Sequence, residues 1–289
     1  MFSAPQSSPS RSFQITSSLR YDPSLPELLH HREQETAYPD PQATPYYLLS
    51  YHRDRLINST RYFQWTPALE FLVNADLGGF SRVLDSFIPD RTKQWRLRIL
   101  LDYNGECKVE ANPTAPIPLL NLLVPQMPSS AFQYQEIGPG SRLWRVYIDS
   151  QSISPSALTT HKTTARDDYN NARLRVGIQS PAESVEVLVF NPIDEIMEGS
   201  ITTPYFQRQR PWAPSLPGAM DGPQWITPPL SSGGNDGTTR RYALAQGFCV
   251  EQVIKTTDLV YGEECWLSNG VRGFMRGEIV VKRTDECKG

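Results

Sequence analysis

The segment Trp95-Arg96-Leu97-Arg98-Ile99-Leu100-Leu101 alternates apolar and charged side chains, runs into Asp102-Tyr103-Asn104-Gly105, and returns through residues 107–111. Period-two alternation belongs to a strand with one buried face, and Asn-Gly is a strong hairpin-turn signal. An antiparallel pair is therefore expected here. Upstream, residues 13–20 and 46–51 read as short strands. Residues 54–63 read as a helix with Leu56, Ile57 and Thr60 on one side. Strands and helix in one stretch predict an α+β unit.

A second unit is expected further along. Leu143-Trp144-Arg145-Val146-Tyr147-Ile148 and Val185-Glu186-Val187-Leu188-Val189-Phe190 read as strands, and Asn191 to Asp194 as a turn leading into residues 197–206. Between them Ala165, Tyr169, Ala172 and Val176 recur at helical spacing, with Thr164 and Asp167 placed as an N-terminal capping pair. Pro-Ser-Ser and Gly-Pro-Gly clusters separate the halves. The organisation expected is a tail over 1–12, a small α/β domain over 13–127, a linker over 128–140 and a larger domain over 141–289. The prolines crowded over 204–229 suggest an ordered excursion across a surface.

Composition excludes some roles. A formal net charge of -3 over 289 residues gives no basic field, so nucleic acid is not an expected partner. Cys107, Cys249, Cys265 and Cys287 form no C-x-x-C pair, which argues against a zinc site or redox motif, and no metal is expected. No apolar run approaches the roughly 20 residues that span a bilayer, and the first ten residues lack the apolar centre of a secretory signal. A soluble, cytoplasmic protein with no membrane partner is expected.

Lys162 stands between threonines where an extended segment enters a helix, in Thr159-Thr160-His161-Lys162-Thr163-Thr164. A desolvated lysine amine there can form a Schiff base with a carbonyl cofactor such as pyridoxal phosphate. That cofactor also needs a carboxylate beside its pyridine nitrogen and a cup for its phosphate. Glu198, in Met197-Glu198-Gly199-Ser200, is the candidate carboxylate. The loop Ser231-Ser232-Gly233-Gly234-Asn235-Asp236-Gly237-Thr238-Thr239-Arg240 precedes an expected helix over 241–246, where glycines and free backbone N–H groups favour an anion. Gly237, Thr238 and Thr239 are the candidate phosphate ligands, with Arg55 of the first helix as their cation.

These motifs, in this order, resemble those of the class IV aminotransferases, the fold-type IV pyridoxal phosphate enzymes. The blocks are H-x-x-R-L-x-x-S at His52, H-K-T-T-x-R-x-x-Y-x-x-A-R at His161, E-G-S at Glu198, T-P-P-L-x-x-G-x-x-G-T-T-R at Thr227 and the loop Asn269-Gly270-Val271-Arg272-Gly273. The resemblance implies a D-amino acid aminotransferase-like fold, with a small α/β domain, a larger pseudobarrel domain and the cofactor between them. It implies Lys162 as Schiff-base lysine and proton shuttle, and Glu198 as pyridine partner. Arg55 with Gly237, Thr238 and Thr239 would bind phosphate. A homodimer is likewise implied. Arg166 and Tyr169 fall on the side of the helix nearest Lys162, where a cofactor contact and simple packing are equally open readings.

Within the family the chain is most similar to fungal-type aminodeoxychorismate lyases, through Thr16-Ser17-Ser18-Leu19-Arg20-Tyr21-Asp22-Pro23 and the Asn269 loop. That implies a folate-pathway lyase forming 4-aminobenzoate and pyruvate from a small anionic amine. Arg20, Arg272 and Asn269 are the candidate substrate ligands, although both arginines read equally as surface strand and loop residues. The alternatives are an aminotransferase for branched-chain, D-amino acid or amine substrates, and a non-catalytic protein of the same fold. Two departures bear on the choice: Thr202-Thr203-Pro204 follows the E-G-S turn, where relatives often have an asparagine, and Asp236 sits near the expected phosphate loop.

Overall fold

The structure is a computed structural model that describes residues 13–29, 38–125, 143–180, 182–209 and 224–280. The expected tail over 1–12 and linker over 128–140 lie outside these residues, as does the middle of the proline-rich stretch.

β1 (Ile15–Tyr21) is followed by α1 (Leu49–Tyr62), α2 (Thr66–Asn74) and α3 (Leu77–Asp85), then by β2 (Trp95–Leu101) and β3 (Cys107–Pro113). The strands form a three-stranded antiparallel sheet in the order β1-β2-β3. The hairpin forms where the alternation placed it. Asp102 N–H donates to Glu106 O, Gly105 N–H donates to Asp102 O, and Gly105 takes φ 88°, a left-handed value a glycine adopts without strain. Ile15, Leu19, Leu97, Ile99 and Leu101 turn one sheet face toward Leu56, Ala68, Leu72, Phe80 and Leu84 of the helices. Burying each large apolar side chain contributes about 1.5–3 kcal/mol.

One expected strand is absent. Within residues 46–51 only Tyr46 makes a bridge, to Tyr21, and α1 begins at Leu49. Tyr46 and Tyr47 are fully buried, and Leu48 turns left-handed at φ 55°, so the extended run stops there. Leu56, Ile57 and Thr60 are buried on α1 as their spacing required.

β4 (Trp144–Ile148), α4 (Ala157–Thr160), α5 (Asp167–Arg175), β5 (Val185–Phe190), β6 (Ile196–Gly199), β7 (Thr203–Arg208), β8 (Gln224–Thr227), α6 (Thr238–Ala245), β9 (Cys249–Glu251), β10 (Glu264–Asn269) and β11 (Gly273–Ile279) complete the chain. Their strands build one curled, mixed sheet of eight in the order β6-β5-β4-β11-β10-β7-β8-β9. Val146, Leu188, Ile196, Phe206, Leu267 and Met275 are among the residues packed within it. Another cluster packs connecting segments of the first unit against the eight-stranded sheet and α6: Leu25, Tyr47 and Leu122 pack with Tyr205, Tyr242 and Phe274. No helix among the described residues is long and apolar enough to cross a membrane.

Three local expectations change. Residues 197–206 are two strands around a turn at 200–202. α6 starts at Thr238, three residues before the expected start, which puts Thr238 and Thr239 in its first turn. Thr164 and Asp167 form no cap; the Thr164 hydroxyl instead accepts the Gln14 N–H at 2.9 Å, a long-range pairing that outcompetes the local one.

Candidate active site

Lys162 is placed by backbone pairing on both sides. Ser156 and Thr159 form a capping box on α4, and the chain leaves that turn extended. Thr16 N–H donates to Lys162 O at 2.9 Å, and Thr164 N–H to Gln14 O at 2.9 Å, tying the segment to the edge of the first sheet at β1. Burial, then the charges of Arg166 and Arg55, push the Lys162 amine down to about 7, against the opposing pull of Glu198. Near neutral pH a large fraction of it is an uncharged nucleophile.

Glu198 projects from β6. Tyr169 OH donates to its Oε1 at 2.5 Å and Asn235 N–H to the same oxygen at 3.1 Å. Oε2 has no partner among the described residues. Burial raises the Glu198 pKa, while the Tyr169 hydrogen bond and the Lys162 charge lower it. The glycine loop is laid against the strand: a Cβ on Gly234 would stand 2.4 Å from Met197 O. Only glycine permits an approach close enough for the Asn235 contact.

Behind β6 sits a carboxylate that motif reading missed. Glu186 is fully buried and accepts from Ser200 N–H at 2.9 Å, Ser200 Oγ at 2.5 Å, Ile201 N–H at 3.2 Å and Thr202 Oγ1 at 2.7 Å. The Thr202 departure thus has a structural task. Arg166 Nη2 donates to Ser200 O at 2.8 Å and Arg173 Nη1 to Ser200 Oγ at 3.0 Å. The Arg166 guanidinium also lies 5.6 Å from the Tyr169 ring centre. The structure therefore brings Lys162, Arg166, Tyr169 and Glu198 into one cluster.

The second half of the site lies between α1 and α6. Arg55 is 8% exposed; its Nη2 donates to Ser17 Oγ at 2.6 Å, while its Nε is buried without a partner. Burial lowers its pKa to about 10, which leaves it cationic at neutral pH. Ser17 Oγ lies 2.7 Å from His52 Nδ1, and His52 Nε2 lies 3.4 Å from Thr238 Oγ1. Ser268 Oγ donates to Thr239 Oγ1 at 2.8 Å. Gly237 stands at the N-cap of α6. Asp236 turns to the helix's own cations, Arg240 Nη1 and Arg241 Nε, each at 3.8 Å.

The expected substrate ligands fare differently. Arg20 is fully buried: its Nε donates to Asp22 Oδ2 at 2.8 Å and its Nη1 to Ala115 O at 3.1 Å. Asp22 meets its charge inside the first unit, and Arg20 Nη2 is buried without a partner. Asn269 Oδ1 accepts the N–H groups of Val271 and Arg272 at 3.0 and 2.9 Å, so this oxygen shapes its own loop. Arg272 lies 5.2 Å from the Trp144 ring centre. Arg96, paired in register with Arg20, went unread. It has no ion pair or hydrogen bond among the described residues; its charge is the largest influence, after burial, on Arg272, and it also pushes the Lys162 amine down, by less than Arg166 or Arg55 does. Its signal was visible as the charged alternate position of an otherwise apolar strand.

A buried, unpartnered guanidinium edge, two helix-opening hydroxyls and a low-pKa lysine facing a carboxylate fit a phosphorylated aldehyde cofactor. Comparison with known proteins agrees. The family model described as amino-transferase class IV matches residues 41–278. The aminodeoxychorismate lyase of Saccharomyces cerevisiae is 29% identical over 231 residues, covering 74% of this chain; the matched part spans 59% of the yeast enzyme's length. The solved 4-amino-4-deoxychorismate lyase of Pseudomonas aeruginosa shares the fold with a TM-score of 0.55 at 14% identity, over 92% of this chain and 83% of that one. The branched-chain amino acid aminotransferase of Escherichia coli does so equally, with a TM-score of 0.55 at 15% identity, over 93% of this chain and 76% of that one. Matched over most of its length, the chain belongs to the class IV aminotransferase family, whose members depend on pyridoxal phosphate.

Proposed function

We propose that this protein is a pyridoxal phosphate-dependent lyase that converts 4-amino-4-deoxychorismate to 4-aminobenzoate and pyruvate. The observation that carries the reading is the Lys162–Glu198 cluster beside Arg96, a half-buried cation that makes no hydrogen bond or ion pair among the described residues. The units 13–127 and 141–289 are the two lobes of this site. When bound, the cofactor supplies an electron sink for the pair left on carbon as a proton departs.

The chain's own residues do the rest. Arg55, Thr238 and Thr239 would hold the phosphate, and the Glu198 carboxylate would keep the pyridine nitrogen protonated. Lys162 Nζ would anchor the cofactor and, when the substrate amine is bound there, would take the proton from the amine-bearing carbon. The bond from the neighbouring carbon to the enolpyruvyl oxygen breaks. The ring would become aromatic, and the released enolpyruvate would take a proton at its methylene carbon to become pyruvate, which balances the proton removed by Lys162. The substrate carries two carboxylates, and Arg96 with Arg272 meets them.

The test is purified protein loaded with pyridoxal phosphate and given aminodeoxychorismate, with pyruvate and aminobenzoate followed together. Equimolar formation of both, abolished along with the visible cofactor band in Lys162→Ala, is expected. Amino-group exchange with a keto acid and no pyruvate would overturn the lyase in favour of an aminotransferase.

A further inference from the structure

Thr238 and Thr239 open α6, and each hydroxyl is met from behind by a buried donor whose hydrogens can be counted. Arg55 has no acceptor atoms, so its 2.6 Å contact makes Ser17 Oγ an acceptor. Ser17 retains one hydrogen, and the acceptor beside it is His52 Nδ1 at 2.7 Å. His52 is fully buried; that burial, with the charges of Arg55 and Lys162, keeps it neutral. A neutral imidazole that accepts at Nδ1 carries its proton on Nε2, the atom 3.4 Å from Thr238 Oγ1.

The second hydroxyl repeats the arrangement. Ser268 Oγ gives its single hydrogen to Thr239 Oγ1 at 2.8 Å, so the buried Tyr205 OH, 2.8 Å from Ser268 Oγ, donates to Ser268. Burial holds Tyr205 protonated. Both threonines therefore accept from behind and keep a hydrogen to give, and no described residue takes either one. The Nε of Arg55, buried and unpartnered, adds a third unanswered donor.

We propose that Arg55-Ser17-His52 and Tyr205-Ser268 are two buried donor chains that aim the Thr238 and Thr239 hydroxyl hydrogens at a phosphate monoester. Ser17, His52, Tyr205 and Ser268 are thereby positioning residues of the phosphate end. This rests on the cofactor reading above and deepens it. The ligand group must accept from two hydroxyls and a guanidinium while donating to none of them, which suits a phosphate dianion and not a sugar or amine.

The experiment compares dissociation constants of pyridoxal phosphate and of pyridoxal, which lacks the phosphate, for wild type, His52→Leu, His52→Gln and Tyr205→Phe. Losing one hydrogen bond to a charged group predicts about a tenfold weaker phosphate form in His52→Leu and in Tyr205→Phe, with pyridoxal unchanged. His52→Gln restores much of the loss, since its amide can accept from Ser17 and donate to Thr238. Equal weakening of both ligands in both variants would mean packing alone, and unchanged phosphate-form binding in Tyr205→Phe would likewise overturn the chains. If wild type takes up no pyridoxal phosphate, the cofactor reading fails separately. Inorganic phosphate then decides: thermal stabilisation of wild type that Tyr205→Phe loses supports the chains, and its absence in wild type rejects them.

Discussion

Two arginine-rich regions flank Lys162 and differ in how their charges are answered. At the turn after β6, Arg166 and Arg173 both bind Ser200, and the buried Glu186 takes four donors from residues 200–202. On the β1–β2 face, Arg20 and Arg96 stand opposite each other in register; Asp22 pairs with the first, while the second makes no ion pair among the described residues and is countered by the more distant Glu110 carboxylate. Like charges across a strand pair are destabilising unless something answers them. The first region is closed machinery that fixes Glu198. The second holds one buried, paired arginine and one half-buried arginine without a hydrogen bond among the described residues.

The sharpest way to test the closed region is to remove the charge it presents. Glu198→Gln keeps the shape and the Tyr169 contact but cannot stabilise a protonated pyridine, so kcat should fall by about 10²–10⁴ while the fold melts as before. A fall of less than tenfold would mean that Glu198 only packs. Arg96→Gln tests the second region. It should raise KM for a dicarboxylate substrate by about 10- to 100-fold, the loss of one charge-assisted hydrogen bond, with little change in kcat. An equal effect on pyridoxal phosphate uptake would place Arg96 at the cofactor instead, and erase the contrast between the regions.

The difference also explains what could be read from sequence. Lys162, Glu198, Arg55 and the Thr238-Thr239 pair each sit in a short motif whose chemistry is local, and the hairpin follows from alternation and one Asn-Gly. Glu186 lay in an apparently ordinary strand; its role depends on a turn fourteen residues away, as the Ser200 and Glu186 contact shows. Arg20 read as a substrate ligand or a surface strand residue, because Asp22 and Ala115 become its partners only once the chain folds. The lost Thr164 cap has the same origin, a partner at Gln14, just before β1 and far away in sequence. Local pattern identifies which groups are present; register decides which charges are satisfied.

Lys162 lies between the two regions, and pH separates its states. Its folded pKa is lowered to about 7 from an ordinary 10.5. Between those values the unfolded chain holds a proton that the folded, cofactor-free protein does not, so stability gains from rising pH across that window. Below about 7 both states are protonated and the gain is gone. Urea unfolding of cofactor-free protein from pH 7 to 10 should show this rise, and Lys162→Met should flatten it. A wild-type profile with the same slope as Lys162→Met would place the amine in water.

The smallest expected effect comes from Tyr169→Phe, which refines the closed region without opening it. The ring stays buried, so packing is kept, but Glu198 Oε1 retains only the Asn235 N–H. Loss of that 2.5 Å donor raises the Glu198 pKa further and loosens the carboxylate. A net hydrogen bond is worth about 1 kcal/mol, so kcat should fall by roughly fivefold. The absorbance of the bound cofactor should shift with it, because the charge beside the pyridine nitrogen has changed. A lower kcat with an unshifted spectrum would assign Tyr169 to packing, whereas a shifted spectrum at unchanged melting temperature shows that it acts through Glu198.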